Sequence, residues 1–246
     1  MNYHMYKKCF VACLDILGFE NSVGEDDART IYDRLRRLDK LFAILTGATI
    51  PNANPKLHSI LMSDTVLLFS ENDDERSFKY VSGVVAQTIC LGIGLSTTNI
   101  ATRYTPMRFR GAISWGDFSY SCNDKGKIFF GPAWIDALKW EKKQEWIGAI
   151  LTPDCIKFIQ KQGFNIDSSL IIEYEAPIKE IIINDKNECE CNITRQKCLC
   201  VNWINQFGCK DVPRGELFEG TDEDGGYRDK LEQTSDFYNY CKSKMQ

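Results

Sequence analysis

Apolar and polar residues alternate along the first part of the chain in patterns that predict a strand followed by a helix. The run Lys8–Ile16 is apolar and rich in residues that favour strands, and Gly18 behind it permits a tight turn. Over residues 26–46, leucine, isoleucine and aromatic residues recur at steps of three and four. This spacing predicts an amphipathic helix that buries one side.

Two strands, a second helix and a further strand are predicted next. Leu57–Met62 and Thr65–Phe69 are apolar runs around a turn, which predicts a hairpin with Asp64 at or beside its tip. A second amphipathic helix starts after the acidic residues 71–75, and Met107–Ser119 predicts the next strand. The order strand, helix, strand, strand, helix, strand is that of the ferredoxin-like split βαβ fold. We therefore expect an α+β protein with a βαββαβ core.

The rest of the chain predicts additions to this core. The predicted elements are a short strand at 127–130, a helix beginning at Gly131 and Pro132, a strand at 146–151, a helix at 152–162, strands at 169–175, 179–184 and 198–203, and a surface helix at 228–244. We expect one domain over residues 1–210, followed over residues 211–246 by an acidic linker and a C-terminal helix packed on or beside it. The role of residues 185–246 is left open.

Composition excludes some classes of function. The formal net charge is −4, with 43% hydrophobic and 26% charged residues, as in an ordinary soluble protein. This charge gives no whole-molecule attraction to nucleic acid or to an anionic membrane. The first residues lack the apolar stretch of a signal peptide, and no segment reaches transmembrane length. We therefore expect a cytoplasmic protein with no nucleic-acid or membrane partner.

The cysteines allow two interpretations. Eleven cysteines in a chain without a signal peptide do not predict a disulfide framework. Cys189 and Cys191 form one pair, and Cys198 and Cys200 form another. Paired thiolates across a hairpin can hold zinc, but a plain hairpin with its cysteines on one face explains the spacing equally well. Whether these four residues bind a metal is left open.

Two acids lie at the ends of apolar runs, where a charge is costly. Asp15 lies in the first predicted strand, within CLDILGF, and Asp64 lies in the hairpin, within MSDTVLLF. A carboxylate among apolar residues carries a large desolvation penalty unless it is paired or ligates a metal. Two such acids can form half of a magnesium site, which leaves the other positions to substrate phosphate and water. The alternative is a pair of ordinary loop or cap acids.

In order and spacing, these motifs resemble those of class III nucleotide cyclases, the adenylate and guanylate cyclase homology domain. The resemblance covers residues 8–152 and is carried by Leu14–Phe19, by Asp64 and by Arg110–Gly116 with the helix at Gly131 behind it. It implies that the 3′-hydroxyl of a nucleoside triphosphate attacks its own α-phosphate and that pyrophosphate leaves. It also implies that the split βαβ core is of the cyclase type.

The resemblance assigns roles to individual residues. It implies two divalent ions, Mg²⁺ or Mn²⁺, held by Asp15, Asp64 and the backbone carbonyl of Ile16. Asp15 and Asp64 are also the implied catalytic residues, together with Lys139. The implied substrate contacts are Leu17, Gly18, Phe19, Ser63, Arg110 and Trp134. Among these, the backbone amides of residues 17–19 would bind the β- and γ-phosphates, as helix N-termini generally bind anions.

Several of these residues also have a structural interpretation. Arg110 is equally compatible with a pair to a surface acid, and Lys139 with a solvated, charged helix face. Trp134 fits a position in the core or at an interface, and Ser63 fits a simple turn. The sequence leaves these alternatives open.

The chain departs from the purine cyclases at the positions that read the base or stabilise the transition state. By the resemblance, these positions map to Ile60, Ile128, Ile135 and Lys139. Isoleucine has no hydrogen bond to offer a polar base edge, which argues against purine recognition. The pattern of Arg110–Ser114 followed by Gly131–Glu141 is most similar to the pyrimidine cyclases of bacterial Pycsar anti-phage systems.

The resemblance therefore implies a homodimeric enzyme that converts CTP or UTP to the 3′,5′-cyclic nucleotide. Each site would combine the acids of one protomer with the helix at 131–143 of the other. The product would act as a second messenger in antiviral defence by activating an effector protein. The alternatives are a catalytically silent module that binds a nucleotide or a partner, and a purine nucleotide cyclase. The sequence does not separate CTP from UTP, and it names neither the activating signal nor the effector.

Overall fold

The computed structural model describes residues 7–47, 55–94, 107–123, 126–183, 189–206 and 225–245. The strands are β1 (Lys7–Ile16), β2 (Leu57–Met62), β3 (Thr65–Ser70), β4 (Phe109–Asn123), β5 (Gly126–Phe130), β6 (Gly148–Leu151), β7 (Ile171–Ile183) and β8 (Cys189–Val201). The helices are α1 (Phe19–Glu25), α2 (Ala28–Leu45), α3 (Glu75–Gly94), α4 (Pro132–Lys142), α5 (Pro153–Gln162) and α6 (Gly225–Lys244), with a 3₁₀ turn at Trp203–Asn205.

One mixed sheet organises the molecule. Its strands follow the order β2-β3-β1-β4-β6-β8-β7, and β5 pairs with β4 beside this path. The strand β1 is antiparallel to both β3 and β4, and β2 is antiparallel to β3. This is the strand arrangement of the ferredoxin-like split βαβ core, so the predicted α+β fold is confirmed. The strand β6 extends the sheet parallel to β4.

The central strand β1 is buried on both faces. On one face, Phe10 and Leu14 belong to the main core, which includes side chains from α2, α3 and α5. On the other face, Cys9 and Val11 belong to a smaller apolar cluster that includes Ala133 of α4. Because side chains alternate along a strand, Asp15 shares this second face. The acid therefore lies on the side of the sheet that α4 covers.

Two local predictions were wrong about where elements begin and end. The turn after β1 leads directly into the short helix α1, which the sequence did not predict, and the helix predicted from residue 26 begins at Ala28 behind its cap Asp27. The predicted strands at 169–175 and 179–184 form one strand, β7, which continues through Pro177. A proline is tolerated there because β7 is the last strand of the sheet.

The cysteine hairpin was predicted in the wrong place. Cys189, Cys191, Cys198 and Cys200 all lie on the single strand β8, which pairs with β7. Cys191 and Cys198 are seven residue steps apart along the strand, which corresponds to about 23 Å. The two pairs therefore do not face each other across a turn. In the described ranges, no three His, Cys, Asp or Glu side chains are grouped so that they could hold a metal ion.

The C-terminal helix packs one face into the core, whereas Asp229, Glu232 and Asp236 on its other face are exposed. Leu231, Phe237 and Cys241 of α6 are buried, and the ring of Phe237 meets Trp146 edge to face at 4.7 Å. The predicted boundary at residue 211 lies outside the described residues. Among the helices that the structure describes, none combines the length and apolarity that a membrane span requires.

Candidate active site

The structure brings the two predicted acids to one end of the sheet. Asp15 is the penultimate residue of β1, and Asp64 lies in the two-residue turn between β2 and β3. The amide of Ile16 donates to the Asp64 carbonyl oxygen at 3.0 Å, and this hydrogen bond holds the turn of the hairpin next to the end of β1. Ser63 has a φ of 55°, in the left-handed region that a tight turn requires. This conformation supports the turn interpretation of Ser63.

The carboxyl group of Asp15 is in an environment that disfavours its charge. Burial, Glu141 and Asp64 raise the pKa of Asp15 from 3.8 to about 7, although Arg110 and Lys142 act in the opposite direction. Nη2 of Arg110 lies 3.7 Å from Oδ2 of Asp15. The site therefore holds more acid than its own cations neutralise, and a divalent ion would offset the difference.

Glu141 is a site residue that the sequence did not single out. It is 1% exposed and lies on the buried face of α4, two helical turns beyond Ala133 and one beyond Ala137. Its Oε1 accepts a hydrogen bond from Nε of Arg110 at 2.7 Å, and burial raises the pKa of Glu141. The four-residue spacing from the two alanines was the available signal, because it places Glu141 on their face.

Arg110 points inward. Its side chain is 12% exposed, and besides the bond to Glu141 its Nη1 donates to the Gln144 carbonyl oxygen at 2.9 Å. Of the two interpretations that the sequence left open, a pair with an acid is present, but that acid, Glu141, is buried and not at the surface. Nε and Nη1 of the guanidinium therefore both donate to acceptors within the chain. The predicted contact between Arg110 and substrate would have at most the Nη2 edge available.

The other predicted residues of α4 lie away from Asp15. Lys139 and Ile135 are one turn apart and exposed, whereas the opposite face of the helix is buried. Trp134 packs edge to face on Phe129 at 4.9 Å and joins the second apolar cluster, which also contains the buried Ile60. The structure therefore does not bring Lys139 or Trp134 to the acids of the same protomer.

The turn after β1 presents backbone amides next to the acids. Gly18 adopts a φ of 77°, which glycine takes without strain, and it is the N-cap residue of α1 with no side-chain cap. The first amides of a helix have no partner within it, so those of Phe19 and its successors depend on other acceptors. The predicted phosphate-binding residues Leu17, Gly18 and Phe19 directly follow Asp15 and Ile16. The amide of Leu17 donates to the Arg108 carbonyl oxygen at 2.8 Å, so it is not available to phosphate and the predicted amide contact falls to Gly18 and Phe19.

The residues present fit a divalent ion of the magnesium type. The available donors are two carboxylates and backbone carbonyl oxygens, which are hard ligands. In the described part of the chain no third acid completes a protein cage. A magnesium site of this kind takes its remaining ligands from phosphate and water. Asp15, Asp64 and the carbonyl of Ile16 are the residues that would hold the ions.

Comparison with known proteins identifies the fold. No protein-family model matches the chain, and no curated protein matches it by sequence. Among solved structures, it matches the catalytic core of a rhodopsin-guanylyl cyclase with converted specificity in complex with ATPαS, at 10% identity and a TM-score of 0.53. The match covers 82% of this chain and 98% of that one.

Two further structures agree. The guanylyl cyclase Cya2 matches at 9% identity and a TM-score of 0.53, covering 82% of this chain and 94% of that one. The monomeric guanylyl cyclase domain of the RhoGC fusion protein from the aquatic fungus Blastocladiella emersonii matches at 11% and 0.51, covering 80% and 100%. The chain therefore has the fold of nucleotide cyclase catalytic domains.

Proposed function

We propose that the protein is a cytoplasmic, metal-dependent nucleotide cyclase that converts CTP or UTP to the 3′,5′-cyclic nucleotide and pyrophosphate. The observation that carries this proposal is the meeting of Asp15 and Asp64 at one end of a cyclase-type sheet, where burial and neighbouring acids raise the pKa of Asp15 to about 7. A carboxylate held in this costly environment beside a second acid is typical of a functional site. A silent module would have no use for it.

Each part of the site has a proposed task. When bound, Mg²⁺ or Mn²⁺ supplies activation of the 3′-hydroxyl and neutralises charge on the triphosphate. Asp15, Asp64 and the Ile16 carbonyl hold the ions, and the amides of Gly18 and Phe19 bind the outer phosphates. Lys139 stabilises negative charge that develops on the α-phosphate, as a point charge.

Preference for a pyrimidine is supported by the apolar residues at the predicted base-reading positions. Ile60 is buried among apolar side chains, and Ile128 is 63% exposed on β5. Neither side chain offers a donor or acceptor, so neither could read the polar edge of a purine. In this proposal the cyclic pyrimidine nucleotide is the second messenger of an anti-phage response and activates an effector protein.

A homodimer is supported by the exposed side of α4 and β5. Ile128, Phe130 and Ile135 are large apolar side chains on these two consecutive elements, and they are 63%, 48% and 48% exposed. Lys139 lies on the exposed side of α4, away from Asp15 of its own protomer. In a symmetric dimer, Lys139 of one protomer would reach the acids of the other.

The substrate is tested by incubating the purified protein with Mn²⁺ and each of the four ribonucleoside triphosphates. We expect a cyclic product and pyrophosphate from CTP or UTP, at a rate at least about tenfold above ATP and GTP. Chromatography with mass spectrometry identifies the product, and omission of the metal is the control. A clear preference for ATP or GTP would replace the pyrimidine assignment with a purine cyclase. No product from any nucleotide would favour the silent module.

The shared site is tested by mixing two inactive variants, Asp64→Ala and Lys139→Ala. In a mixed dimer, one site carries both substitutions and the other carries neither. Random exchange of protomers should therefore restore about a quarter of the wild-type rate. A mixture as inactive as its components would contradict sites shared between protomers. A mixture of Asp64→Ala with Asp15→Ala is the control, because both substitutions affect the same half of the site and no intact site can form.

A further inference from the structure

We propose that the C-terminal helix α6 is a positioning element for the acid site: it fixes the turn 144–147, and this turn holds Arg110 against Asp15 and Glu141. The test of this inference by kcat rests on the proposed function, whereas the test by hydrogen exchange of Arg110 does not. Residues 225–245 thereby acquire a role that their sequence does not indicate.

The first step is the seating of Arg110. Its Nε bonds Glu141 at 2.7 Å, its Nη1 bonds the Gln144 carbonyl at 2.9 Å, and its Nη2 lies 3.7 Å from Asp15. A planar guanidinium with two edges fixed has little freedom to rotate. The position of the Gln144 carbonyl oxygen therefore helps to determine how Nη2 of Arg110 is oriented towards the carboxylate of Asp15.

The second step is the turn that carries this carbonyl. The fully buried side chain of Gln144 donates to the carbonyls of Gly111 and Trp140 at 2.7 and 2.9 Å, and its oxygen accepts from Nε1 of Trp146 at 2.8 Å. The amide of Glu145 also donates to the Pro177 carbonyl in β7. The turn is thus held between β4, α4 and β7.

The third step connects the turn to α6 through three consecutive residues. Lys230 pairs with Oε2 of Glu145 at 3.0 Å, and Phe237 packs edge to face on Trp146. The amide of Ile147 donates to Oγ1 of Thr234 at 2.8 Å, across 87 residues of sequence. These contacts place α6 directly behind the residues that seat Arg110.

Glu145 connects α6 to the acid site, because its carboxylate lies between Lys230 of α6 and Arg110. It is 7% exposed, and its Oε1 lies 3.9 Å from Nη1 of Arg110. Lys179 and Lys230 both pair with Glu145 and compensate its charge. With Lys230 removed, Lys179 alone compensates this buried carboxylate, and Arg110 is the next cation that the carboxylate can draw closer. The guanidinium would then move from Asp15 towards Glu145.

The central test compares Lys230→Met with the double variant Lys230→Met/Glu145→Gln. We expect Lys230→Met to lower kcat about tenfold with KM within about twofold, because Arg110 is displaced while the phosphate-binding turn stays in place. Removal of the competing carboxylate in the double variant should return kcat to within about threefold of wild type. A role limited to stability predicts the reverse, since the second substitution removes a further interaction.

Two matched variants control this test. Lys230→Arg keeps the charge and should retain wild-type kcat. Asp236→Asn breaks the exposed pair between α6 and Arg195, which does not touch the turn, and should leave kcat unchanged.

A readout without turnover is the side-chain Nε–H of Arg110, observed by ¹⁵N NMR and assigned with Arg110→Lys. Because this group is bonded to Glu141, its exchange with water should be slow in wild type, faster in Lys230→Met and slow again in the double variant. If the wild type makes no cyclic product but the exchange follows this order, the proposed function fails and the positioning role stands. Equal exchange and equal kcat in wild type and Lys230→Met, or loss of kcat without rescue, would overturn the positioning role.

Discussion

Substitution of Asp64 by alanine should lower kcat for cyclic nucleotide formation by at least about a thousandfold at saturating Mn²⁺, since a metal ligand supplies several kcal/mol and each 1.36 kcal/mol is tenfold in rate. The fold should survive this change. The contact that anchors the turn to Ile16 uses the backbone carbonyl of residue 64 and not its side chain. The measurement is initial rate over a range of Mn²⁺ concentrations, with the thermal unfolding midpoint measured on the same samples.

The matched control for this prediction is Asp39→Ala, an exposed acid on α2 that should change neither rate nor unfolding midpoint. Asp64→Asn separates charge from shape, because the amide keeps the size of the side chain but is a weaker ligand for a hard cation. We expect it to bind Mn²⁺ more weakly in electron paramagnetic resonance titrations. An Asp64→Ala protein that keeps more than a tenth of the wild-type rate would exclude Asp64 as a ligand to a catalytic metal.

The core of the fold and its two acids could be predicted because they follow from local patterns. Alternation in β1 and the apolar runs around Asp64 specify strands and a turn within a few residues. The βαββαβ order then determines which strands are neighbours. The meeting of Asp15 with Asp64 follows from that topology. The proximity of the two acids could therefore be predicted without knowledge of any long-range side-chain contact.

The electrostatic partners of Asp15 were missed because their surroundings in sequence look solvated. Glu141 stands in a run with Lys142 and Lys143 beside it, which is typical of an exposed helix face. Only the helical register relative to Ala137 places it on the buried side. Likewise, Arg110 shows no sign in sequence that its donors are directed to a buried acid and to a carbonyl more than thirty residues later.

The support from α6 was unpredictable for a different reason. Its bond between Thr234 and Ile147 joins residues 87 positions apart, and the pairing of Lys230 with Glu145 depends on how the helix lies on β7 and the 3₁₀ turn. No local periodicity encodes such a contact. A polar helix with one buried side then looks like a surface helix until its neighbours are known.

Asp15→Asn should abolish turnover in the presence of Mn²⁺ and yet, in metal-free protein, stabilise the fold above neutral pH. The folded state holds the pKa of Asp15 at about 7, against 3.8 for the ordinary group. Between these values the folded state binds more protons than the unfolded state, so stability falls as pH rises through this range. Asparagine removes the charge that causes the loss. With partial solvent screening of a side chain that is 24% exposed, we expect a gain of about 1–3 kcal/mol at pH 8.

The sign of this effect should change with conditions in a way that identifies its cause. At pH 4 most wild-type Asp15 is already protonated in the folded state, so the difference between wild type and Asp15→Asn should nearly disappear. At pH 8, Mn²⁺ should stabilise wild type and leave Asp15→Asn almost unchanged, because the ion binds the folded carboxylate and offsets its cost. Denaturant unfolding at both pH values, with and without Mn²⁺, measures all four differences. Destabilisation by Asp15→Asn at pH 8 without metal would mean that Arg110 already compensates the carboxylate, and the site would then have no unmet need for a second cation.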